Sequence, residues 1–182
     1  MAKSKLSEFK QLIAEMNESE LREELMKLYN KIPTVKELYN QDLMTEEERQ
    51  EVLQTYKDRI YKEYWTPKGN PKSPNNSKIK TIVGEYEKTA VFPYDIIDLL
   101  LFRVETTTDF ANQFGGASDG TYNGAITSFK KAMKLMNDNN LRAHFEIQCK
   151  EIFKAGNLDY WYIMELEELF EEGIFDEHEE ID

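Results

Sequence analysis

Apolar residues recur at three- and four-residue intervals along nearly the whole chain, the spacing of helices that each turn one face to a core. Leu6, Phe9, Leu12, Ile13 and Met16 make a first stripe, and Leu21, Leu25, Leu28, Tyr29 and Ile32 a second. Pro33 stops the second, because proline has no N–H to donate into a helix. Thr34 with Glu37 and Thr45 with Glu48 read as capping boxes, in which the hydroxyl takes one orphan amide and the glutamate reaches back to another. The first opens a short helix with Val35, Leu38 and Tyr39. The second opens one with Val52, Leu53, Tyr56, Ile60 and Tyr64.

Residues 66–77, TPKGNPKSPNNS, break the pattern with three prolines, a glycine and three asparagines, and are expected to be a loop without regular structure. Ile79, Ile82, Val83 and Tyr86 then return to helical spacing, although Ile79, Thr81 and Val83 also alternate as in a short strand. Pro93 suits the first turn of a helix over about 94–114, which is apolar on most sides and therefore central. The stretch from Gly115 to Gly120 reads as a helix–helix turn with Gly115 as cap. Tyr122, Ile126, Phe129, Met133 and Met136 form the next stripe; Leu141, Phe145, Cys149 and Ile152 follow. Gly156 and Asn157 are the expected stop and start signals before a last stripe of Leu158, Trp161, Tyr162, Leu166, Leu169 and Phe170. Residues 8–32 also align without gaps on residues 128–152, with Phe9/Phe129, Met16/Met136 and Leu21/Leu141 among the identities. A stack of αα-hairpins would produce such an echo.

The expected fold is all-α, with about eight to nine short helices packed as αα-hairpins in a helical array or orthogonal bundle. One domain is expected over 1–172, composed of helical parts 4–65 and 78–172 around the Pro/Lys loop 66–77, followed by an acidic tail, 173–182.

Two groups of residues carry a resemblance. One runs Lys5-Leu6-Ser7-Glu8-Phe9, then Glu20-Leu21, Glu24-Leu25, Leu28-Tyr29 and Val35-Lys36-Glu37. The other comprises Tyr61-Lys62-Glu63-Tyr64 before the basic loop, and Asp98 to Glu105 leading to Asp109-Phe110-Ala111-Asn112-Gln113-Phe114-Gly115. Over most of its length the chain resembles an uncharacterised bacterial family, domain of unknown function six-one-five-five. The resemblance implies a helical fold and brings no catalytic residues with it. Thr106-Thr107-Thr108 stands where the family carries a more apolar stretch, and is expected to loosen that helix locally.

Charge narrows the choice of partners. Of the net −12, residues 1–90 hold none, with 16 basic and 16 acidic side chains, whereas residues 91–182 hold 7 basic and 19 acidic. That acidic half would repel a phosphate backbone, so direct nucleic-acid binding is not expected. The basic start of the chain has no apolar stretch behind it, and no apolar run is long enough to span a bilayer, so the expected location is cytoplasmic. Cys149 is a single cysteine on an apolar stripe and reads as a buried, inert thiol.

Three features remain as candidate chemistry. Asp98, Glu105, Asp109 and Asn112 share one face of the central helix, and Asp119 and Tyr122 follow in the adjoining turn. They could form a polar-ligand site, or else a structural network or a solvent-facing stripe. Lys68, Lys72, Lys78 and Lys80 lie in the acid-free stretch 64–84 and could touch an acidic partner. From Glu165 to Asp182 there are ten acids and no Lys or Arg, a tail that could imitate nucleic acid. The two histidines, His144 and His178, lack the Glu-x-x-His spacing of a di-iron bundle, and no metal or other cofactor is expected. The leading expectation is a helical protein-interaction module without catalysis. The alternatives are a ligand- or metal-binding protein or enzyme using the carboxylate stripe, and an acidic decoy of a nucleic-acid-binding protein.

Overall fold

The computed structural model describes residues 5–157 and 159–172. Among them lie nine helices and no strand: α1 (Leu6–Glu15), α2 (Glu18–Lys31), α3 (Pro33–Leu43), α4 (Glu46–Tyr64), α5 (Asn76–Thr89), α6 (Pro93–Phe114), α7 (Asp119–Asp138), α8 (Arg142–Ala155) and α9 (Tyr160–Glu172). Contacts divide the chain into two compact units, Met1–Met44 and Thr45–Asp182.

The first unit holds α1 to α3. Asn17 opens α2 with a full capping box, its side chain accepting from Ser19 and Glu20 while Glu20 accepts from the Asn17 N–H at 2.8 Å. The box expected at Thr34 and Glu37 does not open α3. Pro33 occupies the first helical position, which suits its fixed φ and missing N–H, so Thr34 lies inside the first turn. Tyr29 Oη donates to Asn40 Oδ1 at 2.7 Å and ties α2 to α3. None of the described residues of this unit is buried.

The second unit is built around α6. Phe92 caps it, Pro93 starts it, and Gly115 ends it in the left-handed region at φ 79, where its N–H and that of Gly116 reach back to the Ala111 carbonyl. Helix α6 runs unbroken through Thr106-Thr107-Thr108, contrary to the expected loosening. All three threonines are buried, and Thr107 and Thr108 donate to the carbonyls of Arg103 and Val104, each at 3.0 Å. A hydroxyl that bonds within its own helix costs the core no unsatisfied polar group. Ile97, Leu99, Leu100, Leu101 and Val104 are fully enclosed, so α6 buries several faces at once.

Helix α7 packs closely along α6. Gly124 and Ser128, four apart on α7, both meet Arg103 of α6, and such small side chains let two helix axes approach. The stripes read for α4, α5, α7 and α8 supply the rest of the core, with Leu53, Ile60, Ile79, Tyr86, Phe129, Met133, Phe145 and Cys149 among its buried members. Residues 79–83 are helical, within α5. The Pro/Lys segment is more ordered than its composition implies: an isolated antiparallel bridge joins Trp65 to Pro71, and Gly69 supplies the positive φ of the turn between them. Helix α9 starts at Tyr160, so Asn157 does not cap it. Leu158 and the acidic tail 173–182, with His178, lie outside the described residues.

Candidate functional site

The polar stripe of α6 is divided among several neighbours. Lys57 on α4 reaches Asp98 at 2.7 Å, both side chains being less than a fifth exposed. Gln148 on α8 donates to Glu105 at 2.9 Å. Burial pushes the Glu105 carboxyl above its ordinary value, against the opposing pull of the Gln148 hydrogen bond and of Lys57. Asp109 is exposed. Asn112 clasps the end of α8, donating to the Ala155 carbonyl at 2.7 Å and accepting from the Asn157 N–H at 3.1 Å. It thereby satisfies an orphan carbonyl at a helix C-terminus.

Asp119 is exposed in the first turn of α7. Tyr122 is buried; its hydroxyl donates to Asp159 and accepts from the Ala117 N–H at 3.0 Å, which fixes the α6–α7 turn to the start of α9. Cys149 lies enclosed near Glu105, and burial, then the carboxylate, raise its thiol to about 12. His144 is exposed, edge-on to Tyr94. Among the described residues, no group of three or more His, Cys, Asp and Glu could hold a metal ion.

The four lysines also separate. Lys72 and Lys78 both approach Glu63, at 3.8 and 2.5 Å, and neutralise a carboxylate that is 5% exposed. Lys68 is exposed. Lys80 lines a cleft with residues of α6 and α7.

Two features escaped the sequence reading. The first is Arg103, 5% exposed near the middle of α6. Its Nη1 donates to Ser128 at 3.1 Å, Tyr64 also hydrogen-bonds its guanidinium, and among the described residues no carboxylate pairs with it. The close spacing of glycines on α7 was the available signal, because a glycine beside a helix makes room for something large. The second is the bareness of α1 and α2. Leu6, Phe9 and Leu12 are 57%, 50% and 51% exposed on one face of α1. A groove between α1 and α2 is lined by apolar Leu12 and Met16 and by Glu15, Glu20, Glu23, Glu24 and Lys27.

Among the described residues no helix is long and apolar enough to cross a membrane. Residues 1–176 match a family model described as a family of unknown function, DUF6155. No curated protein and no solved structure matches the chain.

Proposed function

We propose, from the premise that the chain belongs to the family of unknown function DUF6155, that it is a cytoplasmic helical protein-interaction module, and that α1 and α2 form its docking surface. The carrying observation is that α1 and α2 bury none of their residues while keeping a strongly amphipathic pattern. A helix whose apolar stripe stays in water has given up the burial that normally holds it, and a partner restores that burial. Leu12 and Met16 in the groove take an apolar ridge, and its four glutamates against one lysine favour a cationic one. The fitting partner is therefore a protein that offers a basic amphipathic helix, in the helix-in-groove mode.

Cross-linking capture from native lysate, wild type beside Leu12→Asp, tests the reading. The expected result is a partner cross-linked through a lysine- or arginine-rich helix, retained by wild type and lost by the variant. Because Leu12 is 51% exposed, the variant should keep its stability within about 0.5 kcal/mol. A partner held equally by both proteins would place the docking surface elsewhere.

A further inference from the structure

Arg103 sits in an unusual position for its charge. It lies on the central helix, 5% exposed, yet among the described residues the side chains that hydrogen-bond it, Ser128 at 3.1 Å and Tyr64, are both neutral. Its Nε finds no partner at all. Burial lowers the guanidinium from its ordinary value, Tyr64 opposing, but arginine stays charged over the range in which proteins work. A buried cation without a carboxylate is costly and is rarely kept without a use.

The space around it is built rather than accidental. Arg103 lines a cleft of about 400 Å³ between α5, α6 and α7, with Asn76, Ser77, Lys80, Ser128 and Lys131. At Gly124 any Cβ would overlap the Arg103 Nη2, so α7 needs glycine there for the guanidinium to lie where it does. At Gly84, across the cleft, a Cβ would meet nothing, so that glycine leaves the cavity open. Asn76 and Ser77 form the first turn of α5, which contains no acid, so the positive end of that helix faces the same space.

The polar atoms left over define the guest. Lys131 is paired with Glu87 at 2.6 Å and is neutralised. Arg103 and Lys80 remain without ion-pair partners among the described residues, two positive charges for one dianion. Asn76 Oδ1 and Glu87 Oε1 are buried acceptors with no donor, on side chains that line the cleft and need only turn to present them to it. A bare anion would satisfy the cations and leave those acceptors empty; a guest with hydroxyl groups satisfies both. No aromatic side chain lines the cleft, so nothing there stacks on a base. The geometry points to a binding site for a small phosphorylated polyol, its phosphate held by Arg103, Lys80 and the start of α5, and its hydroxyls by Asn76 and Glu87. The chain's net charge of −12 opposes approach to an anionic lipid surface and favours a soluble ester.

The test is isothermal titration calorimetry, with parallel thermal melts, on the full chain. The probes are glycerol 3-phosphate, ribose 5-phosphate and glucose 6-phosphate, with inorganic phosphate, glycerol and glucose as controls. At least one ester is expected to bind and raise Tm, inorganic phosphate to bind more weakly, and the uncharged polyols not to bind. Gly84→Leu, whose new side chain enters open space, should abolish binding without lowering the Tm of the free protein. Lys80→Gln should weaken binding by about tenfold or more. Arg103→Met should abolish it, and the Gly84 and Lys80 variants keep the test valid if Arg103→Met does not fold. No ester binding to wild type, equal binding by Gly84→Leu, inorganic phosphate as tight as the esters, or binding only to phosphatidylglycerol vesicles would each overturn the proposal.

Discussion

Glu105 shows how one residue is settled by its surroundings. Its carboxyl titrates higher in the fold than in the unfolded chain, chiefly because burial disfavours the charge. The folded state therefore binds the proton more tightly. The resulting stability is fully present below the unfolded value and is lost as pH rises through the folded one. Glu105→Gln removes that loss and keeps an oxygen for Gln148. Urea midpoints measured across pH should match wild type in acid, below about pH 4, and exceed it at neutral pH. A variant weaker by the same amount at every pH would mean that the Gln148 contact outweighs the burial. The shared face of Asp98, Glu105 and Asn112 was legible, because helical spacing alone sets it. Their partners were not: Lys57 and Gln148 stand 41 and 43 positions away from Asp98 and Glu105, and nothing local announces such a pairing.

At the scale of elements, two threonine–glutamate boxes looked alike in the sequence and behave differently in the fold. Thr45 caps α4, with Glu48 returning the bond to its N–H at 2.8 Å. Thr45→Ala should therefore cost about 1 kcal/mol of unfolding free energy, read from denaturant titration. An unchanged midpoint would show that the box contributes nothing in context. Thr34 fails as a cap because the proline before it is itself a better helix start. The Asn17–Glu20 box has the same chemistry with an amide in place of a hydroxyl, and went unread for that reason. Helix α6 was legible almost to its ends, since Pro93 and Gly115 act on the backbone directly. The start of α9 was not, because Asn157 carries a cap residue's side chain but is tied to Asn112 beside the end of α8, and the helix begins only at Tyr160.

For the whole molecule, periodicity gave the number of helices but not which of them share a core. Residues 8–32 and 128–152 carry matching apolar positions, yet Phe129 is fully buried and Phe9 is half exposed. The difference lies in what packs against each segment, which depends on contacts far away in sequence. It also has a dynamic consequence. Local opening is cheap where little apolar surface is buried, so amides of α1 and α2 should exchange with deuterium well before those of α6 and α7. Exchange mass spectrometry at neutral pH reads this directly. Equal protection in the two units would mean that α1 and α2 are held by more than their own contacts. A partner on the α1–α2 groove should slow exchange there and leave α6 unchanged.

The enclosure of Cys149 has a practical side. It is the single sulfhydryl of the chain, and it is both walled in and held in its unreactive protonated form. In the folded protein a thiol-directed dye or spin label thus meets no native target. A cysteine introduced at an exposed position such as Phe9 or Lys68 becomes the one site that reacts, and pairs of such labels report distances within the molecule while its own sulfur stays in place.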